Sequence, residues 1–113
     1  MKAIHLLPLG GQNVDLVDDL LLPLGGVFRV PAERLDLEID LESFYDEQRV
    51  QYNSTSILLH LKELYRQRGH ANSVKAMAIV PCDLFIPILT YVFGEAEVGG
   101  NVAVVSSYRL ARH

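Results

Sequence analysis

Proline or glycine falls at the end of nearly every apolar run in this chain, and that punctuation confines it to short elements. Ala3–Leu7 is stopped by Pro8 and Gly10–Gly11, as expected of a buried strand leaving a sheet. Val14, Val17, Leu20 and Leu21 then recur at helical spacing, with Asp15, Asp18 and Asp19 between them. Asn13 is placed to cap this helix, and Pro23 with Gly25–Gly26 to end it. Val27–Val30 alternates like a strand closed by Pro31. Leu35, Leu37, Ile39 and Leu41 alternate with acidic residues, which predicts a strand or extended chain with one wet face. Glu42–Asn53 is polar with scattered aromatics and reads as loop around a helical turn. From Asn53 or Ser54, the residues Ile57, Leu58, Leu61, Leu64 and Tyr65 form one face of a second helix, which Gly69 stops. Val74–Val80 is a buried strand ended by Pro81, and Pro87 divides Leu84–Phe93 into a loop and a strand, Leu89–Phe93. Gly99–Gly100–Asn101 is a turn signal before a last strand, Val102–Val105.

This order predicts one α/β domain over residues 1–113: a mixed, mostly parallel twisted sheet with helices packed on it. The last two strands, joined by the short glycine turn, should form its antiparallel edge. The hexapeptide LLPLGG occurs twice, at Leu6–Gly11 and Leu21–Gly26. Its spacing is too short for a repeat fold, so it reads as turn chemistry used twice. Half of the residues are hydrophobic (50%), enough for a full core and an apolar surface besides. A net charge of −4 offers no electrostatic footprint for nucleic acid. No stretch has the length and hydropathy of a membrane span, and the N-terminus has no signal-peptide pattern, so a cytoplasmic location is expected.

Tests for chemistry return little. The histidines, His5, His60, His70 and His113, include no pair at the i, i+4 spacing that presents two imidazoles to a metal. Cys82 stands alone, and Asp83 beside it should raise rather than lower its thiol pKa. Gly10–Gly11, between strand and helix, is where an anion cradle could lie, but no phosphate-binding glycine pattern surrounds it. Glu95 and Glu97 flank Ala96 near a turn and read as solubilising acids.

Several stretches together resemble the archaemetzincins. Arg49–Ser54 followed by Ile57–Leu58 is similar to their R-x-Q-Y-x-S…I-L segment. Asp83–Pro87 with Tyr91–Ala96 is similar to their D-L-[YF]-[VI]-P…F-V-F-G-E-A block, and Val102–Ser106 with Arg109–Leu110 to their A-V-V-S…R-L. The N-terminal strand ending in Pro-Leu-Gly also fits, so the blocks keep their order along nearly the whole chain.

The resemblance implies a metzincin-like sheet and a zinc-peptidase ancestry. In that family, HExxHxxGxxH holds the catalytic zinc, its Glu acts as general base, and cysteines bind a second zinc. Both sets follow the R-L segment, and neither occurs in these residues. The expectation is therefore a truncated or split peptidase, inactive alone, with no catalytic residue, no metal ligand and no cofactor of its own. The alternative is a non-catalytic, peptide-binding remnant acting as an oligomer. What the resemblance carries over is a substrate-side antiparallel edge strand, here Tyr91, Val92, Phe93, Gly94, Glu95 and Ala96. The expected partners are a second copy or a separate zinc-bearing half, and peptide. In the family a helix following the last strand covers apolar sheet surface, so these residues by themselves should expose it and self-associate.

Overall fold

A computed structural model describes residues 1–69 and 73–109. β1 (Ala3–Pro8), β2 (Ala32–Arg34), β5 (Val74–Val80), β8 (Gly94–Ala96) and β9 (Val102–Ser106) form one sheet in the order β2-β1-β5-β9-β8. All neighbours are parallel except β8, which runs antiparallel to β9 at the edge. β3 (Tyr45–Asp46), β4 (Gln51–Asn53), β6 (Leu84–Ile86) and β7 (Leu89–Val92) form a smaller mixed sheet in the order β3-β4-β6-β7. The expected mostly parallel sheet with an antiparallel edge is therefore present, and a second sheet accompanies it.

The two helices cover opposite faces of the larger sheet. On one face Leu7, Ala76, Ala78, Val102 and Val104 pack against Ile57, Leu58, Leu61 and Tyr65 of α2 (Ser54–Gln67). Because strand side chains alternate, Ile4, Leu6 and Ile79 point the other way and meet Val17 of α1 (Val14–Phe28). The start of α2 is as expected: the Asn53 side chain accepts from the Ser56 amide, and Gly69 ends the helix at φ 76°.

The first helix departs from expectation at both ends. Asn13 sits in the left-handed region (φ 67°) and makes no side-chain cap; its amide donates instead to Ser107 Oγ at 2.9 Å. The helix also runs through Pro23, Gly25 and Gly26 to Phe28, so Val27–Val30 is not a strand. Leu20, Leu21 and Leu24 continue the stripe begun by Val17 onto the sheet, and that packing outweighs the amide lost at Pro23. Pro23 lies on the exposed side, where water can satisfy the carbonyl it frees. The same six letters, LLPLGG, are thus strand and turn at Leu6–Gly11 but helix at Leu21–Gly26. The strand expected at Val27–Val30 begins instead at Ala32, after the αL residue Arg29 (φ 58°) has turned the chain. Leu35, Leu37 and Ile39 keep their alternation and lie half-buried on the core; the Leu35 amide still donates to the Leu6 carbonyl (3.0 Å), and the segment after it forms no strand. The Glu42–Asn53 loop holds a 3-10 turn (Leu41–Phe44) and the short strands β3 and β4.

Gly94 marks the tightest approach in the edge pair. A Cβ there would lie 2.6 Å from the Val104 carbonyl oxygen, inside contact distance. Gly94→Ala should cost about 1–3 kcal/mol through forced separation of β8 from β9. The expected readout is a lower urea midpoint at constant slope, with loss of amide protection confined first to β8.

Candidate functional site

The segment expected to be one edge strand is divided. Tyr91 and Val92 belong to β7, the outer strand of the small sheet; Gly94, Glu95 and Ala96 form β8, the outer strand of the large one. Phe93 is a bend between them. The division has a local cause: the Phe93 carbonyl accepts from the Ser106 amide (2.8 Å), pulling the chain off β6 and onto β9. The Glu97 amide donates to the Val102 carbonyl (3.2 Å), and Glu95 stands opposite Val104. Backbone groups alternate in direction along an antiparallel pair. Residues 93, 95 and 97 therefore spend theirs on β9, whereas Gly94 and Ala96 turn theirs outward, where no described strand pairs with them.

Glu95 is more than a solubilising acid. Its carboxylate accepts from Ser54 Oγ (2.6 Å) and from Thr55 Oγ1 (3.0 and 3.1 Å), fastening β8 to the first turn of α2. A carboxylate at a helix N-terminus is also favoured by the helix dipole. Glu97 pairs with Lys62 on the same helix. The S at the end of the Arg49–Ser54 block and the E of the Tyr91–Ala96 block are thus hydrogen-bonded partners, a link that the motif letters alone do not reveal.

Behind the edge, the motif blocks converge on Asp83. Arg109 Nε and an Arg109 terminal nitrogen donate to its two carboxylate oxygens at 2.8 and 2.9 Å. Gln51 Nε2 donates to the same carboxylate (3.0 Å) and to the Thr90 carbonyl (2.8 Å). The guanidinium of Arg109 also lies 3.7 Å from the Tyr91 ring centre. Arg49 stacks on Phe85 at 4.3 Å and donates to the carbonyls of Pro87 and Leu89, fixing the β6–β7 hairpin. The paired guanidinium holds the Asp83 carboxyl below its ordinary pKa, against the opposing effect of burial.

The remaining candidates do not assemble into a reactive centre. Cys82 is half-buried, and burial first, with Asp83 nearby, pushes its thiol up to about 11, away from nucleophilic character. Gly10 and Gly11 both have positive φ, but the groove beside them is also lined by Asp36, Glu38 and Asp40, the wrong charge for an anion. His5 hydrogen-bonds Tyr65 through Nδ1 (2.7 Å), and His60 packs edge-on against Phe44. His70, Leu110 and His113 lie outside the described residues.

No family model matches the chain. An archaemetzincin of Archaeoglobus fulgidus is 36% identical over 84 residues, which cover 74% of this chain and 44% of that protein. Among solved structures, a zinc-dependent peptidase from Methanocorpusculum labreanum superposes with a TM-score of 0.78 at 28% identity, covering 96% of this chain and 65% of that one. The archaemetzincin of A. fulgidus, solved with malonate, gives 0.77 at 32% identity, covering 96% and 63%. This chain therefore matches less than two-thirds of each. Among the described residues no three His, Cys, Asp or Glu side chains converge to hold a metal ion.

The Asp83 cluster carries a pH signature. A depressed carboxyl stabilises the fold above its unfolded pKa of about 4 and loses that contribution as pH falls through the lower folded value. Asp83→Asn should cost about 1–3 kcal/mol at pH 7, since the ion pair is partly screened. Denaturation curves of both proteins should converge as pH drops below about 4.

Proposed function

We propose, because this chain is a homologue of the archaemetzincins, that its residues build the substrate-side wall of a zinc peptidase and receive peptide as an added strand on β8. The observation that carries this reading is the outward backbone of Gly94 and Ala96 on an antiparallel edge. An extended peptide meets such an edge with main-chain hydrogen bonds at alternate residues. Glu95, tied to Ser54 and Thr55, keeps the edge in place without consuming those outward groups.

In this reading the described residues supply the binding edge and not the hydrolytic centre. With the described His, Cys, Asp and Glu side chains dispersed, nothing is placed to lower the pKa of a water, so these residues bind peptide without cleaving it. When bound in such enzymes, zinc activates the attacking water; the part assigned to this chain is to hold the peptide extended. Metal analysis of the purified polypeptide should find less than stoichiometric zinc, and peptide titration should shift the Gly94 and Ala96 amides. One tight zinc per chain, whose removal by chelator abolishes peptidase activity, would sink this reading.

A second reading, self-association, is favoured by the face of the large sheet that carries α1. That helix covers Ile4, Leu6 and Ile79, while Met77, Ala103 and Val105 on the same face stay half-buried. A groove of about 340 Å³ between Leu24, Phe28 and Met77 is lined by apolar side chains and Lys75. Exposed apolar surface costs about 25 cal/mol per Å², and a two-fold dimer is the commonest way to cover it. Val102 and Val104 point into the core, so the informative substitution is Val105→Glu. Light scattering should show a dimer that this change converts to monomer; a compact wild-type monomer at high concentration would defeat the proposal.

A further inference from the structure

We infer that the aromatic pair Tyr91–Phe93 sets the specificity of this edge and selects extended peptides with an apolar side chain; the inference rests on the peptide-edge reading above. The two rings meet edge to face, with centroids 5.5 Å apart at 85°. Both remain open to solvent, Tyr91 at 39% and Phe93 at 52% relative exposure. An exposed aromatic pair is unremarkable alone; its fixation and its position are what point to a ligand.

Fixation comes from three directions. The Arg109 guanidinium covers the Tyr91 ring at 3.7 Å and is itself held by two hydrogen bonds to Asp83. Gln51 holds the Thr90 carbonyl next to Tyr91. The Phe93 carbonyl is bonded to the Ser106 amide. A ring already immobilised loses little conformational freedom when a ligand packs on it, which is how rigid aromatic anchors favour binding. Position matters equally. Phe93 immediately precedes Gly94, the first residue with outward backbone, so a peptide pairing with β8 passes the aromatic step as it enters or leaves the edge.

The chemistry of the step favours apolar over acidic side chains. Arg109, the cation in contact with Tyr91, is already neutralised by Asp83 through a two-pronged contact, so a peptide carboxylate would have to displace it. Leu89 stands two residues before Tyr91 on the same strand and is also exposed, extending the apolar surface along β7.

The test titrates the isotope-labelled chain with four extended hexapeptides that differ at one central position: leucine, phenylalanine, serine or aspartate. The leucine and phenylalanine peptides should bind roughly tenfold more tightly than the other two. Phe93→Ala should bring all four to the affinity of the serine peptide, with the α2 amides keeping their protection as a check on the fold. Leu22→Ser, which removes an exposed apolar side chain from α1, should leave the ratio intact. Equal binding of all four peptides, with shifts at Gly94 and Ala96, overturns the specificity inference and leaves the edge reading standing. An apolar preference that survives Phe93→Ala also overturns it. Failure of every peptide to bind removes the edge reading, and this inference with it. A concentration-dependent dimer broken by Phe93→Ala would assign the pair to contacts between copies and overturn the inference.

Discussion

The carboxylate of Asp83 is the point at which the two sheets are joined. Its side chain receives Arg109 from the chain leaving β9 and Gln51 from β4, while its backbone carbonyl accepts from the Tyr52 amide. The small sheet is too short to stand alone, since its strands run only two to four residues. Charge-assisted hydrogen bonds to one anchored carboxylate give it a fixed place against the large sheet. Through Gln51 and the Thr90 carbonyl, and through Arg109 and the Tyr91 ring, the same carboxylate determines where the Leu89–Ala96 segment lies.

Much of the large sheet was legible, because its central strands β1, β5 and β9 are mostly apolar and lie next to proline or glycine. Val74–Val80 and the start of α2 match the expected limits, since burial and capping point the same way there. Legibility failed where tertiary packing overrode local signals. Pro23 and the glycines after it are helix stops by propensity, yet Leu20, Leu21 and Leu24 have a sheet to cover and the helix continues. Asn13 has the chemistry of a cap but finds Ser107, 94 positions away, a partner no local pattern contains. β6 went unseen because three residues ahead of Pro87 carry too little periodicity to distinguish strand from loop.

The candidate edge was legible in place but not in shape. A six-residue apolar-to-polar run before a glycine turn reads as one strand; nothing in the letters says that its pairing partner changes at Phe93. The change depends on β6 and β9 lying end to end beside it, a consequence of topology. The role of Glu95 was hidden for a similar reason. Two acids near a turn are ordinarily solvated, and only the approach of α2 makes them fasteners, Glu95 to its first turn and Glu97 to Lys62.

An exposed edge invites unwanted pairing, and the way this one is built limits that risk while leaving room for a ligand. β8 is three residues long, and the bend at Phe93 prevents it from merging with β7 into a long flat template. Only Gly94 and Ala96 present outward backbone, so a strand that adds there gains few hydrogen bonds, each worth about 0.5–1.5 kcal/mol net. That sum does not offset the several kcal/mol of freedom an extended segment gives up on association. Backbone pairing alone is therefore too weak to capture arbitrary strands, including another copy's. A partner must add side-chain contact to be held, and the fixed rings of Tyr91 and Phe93 offer apolar surface adjoining the edge that can provide it.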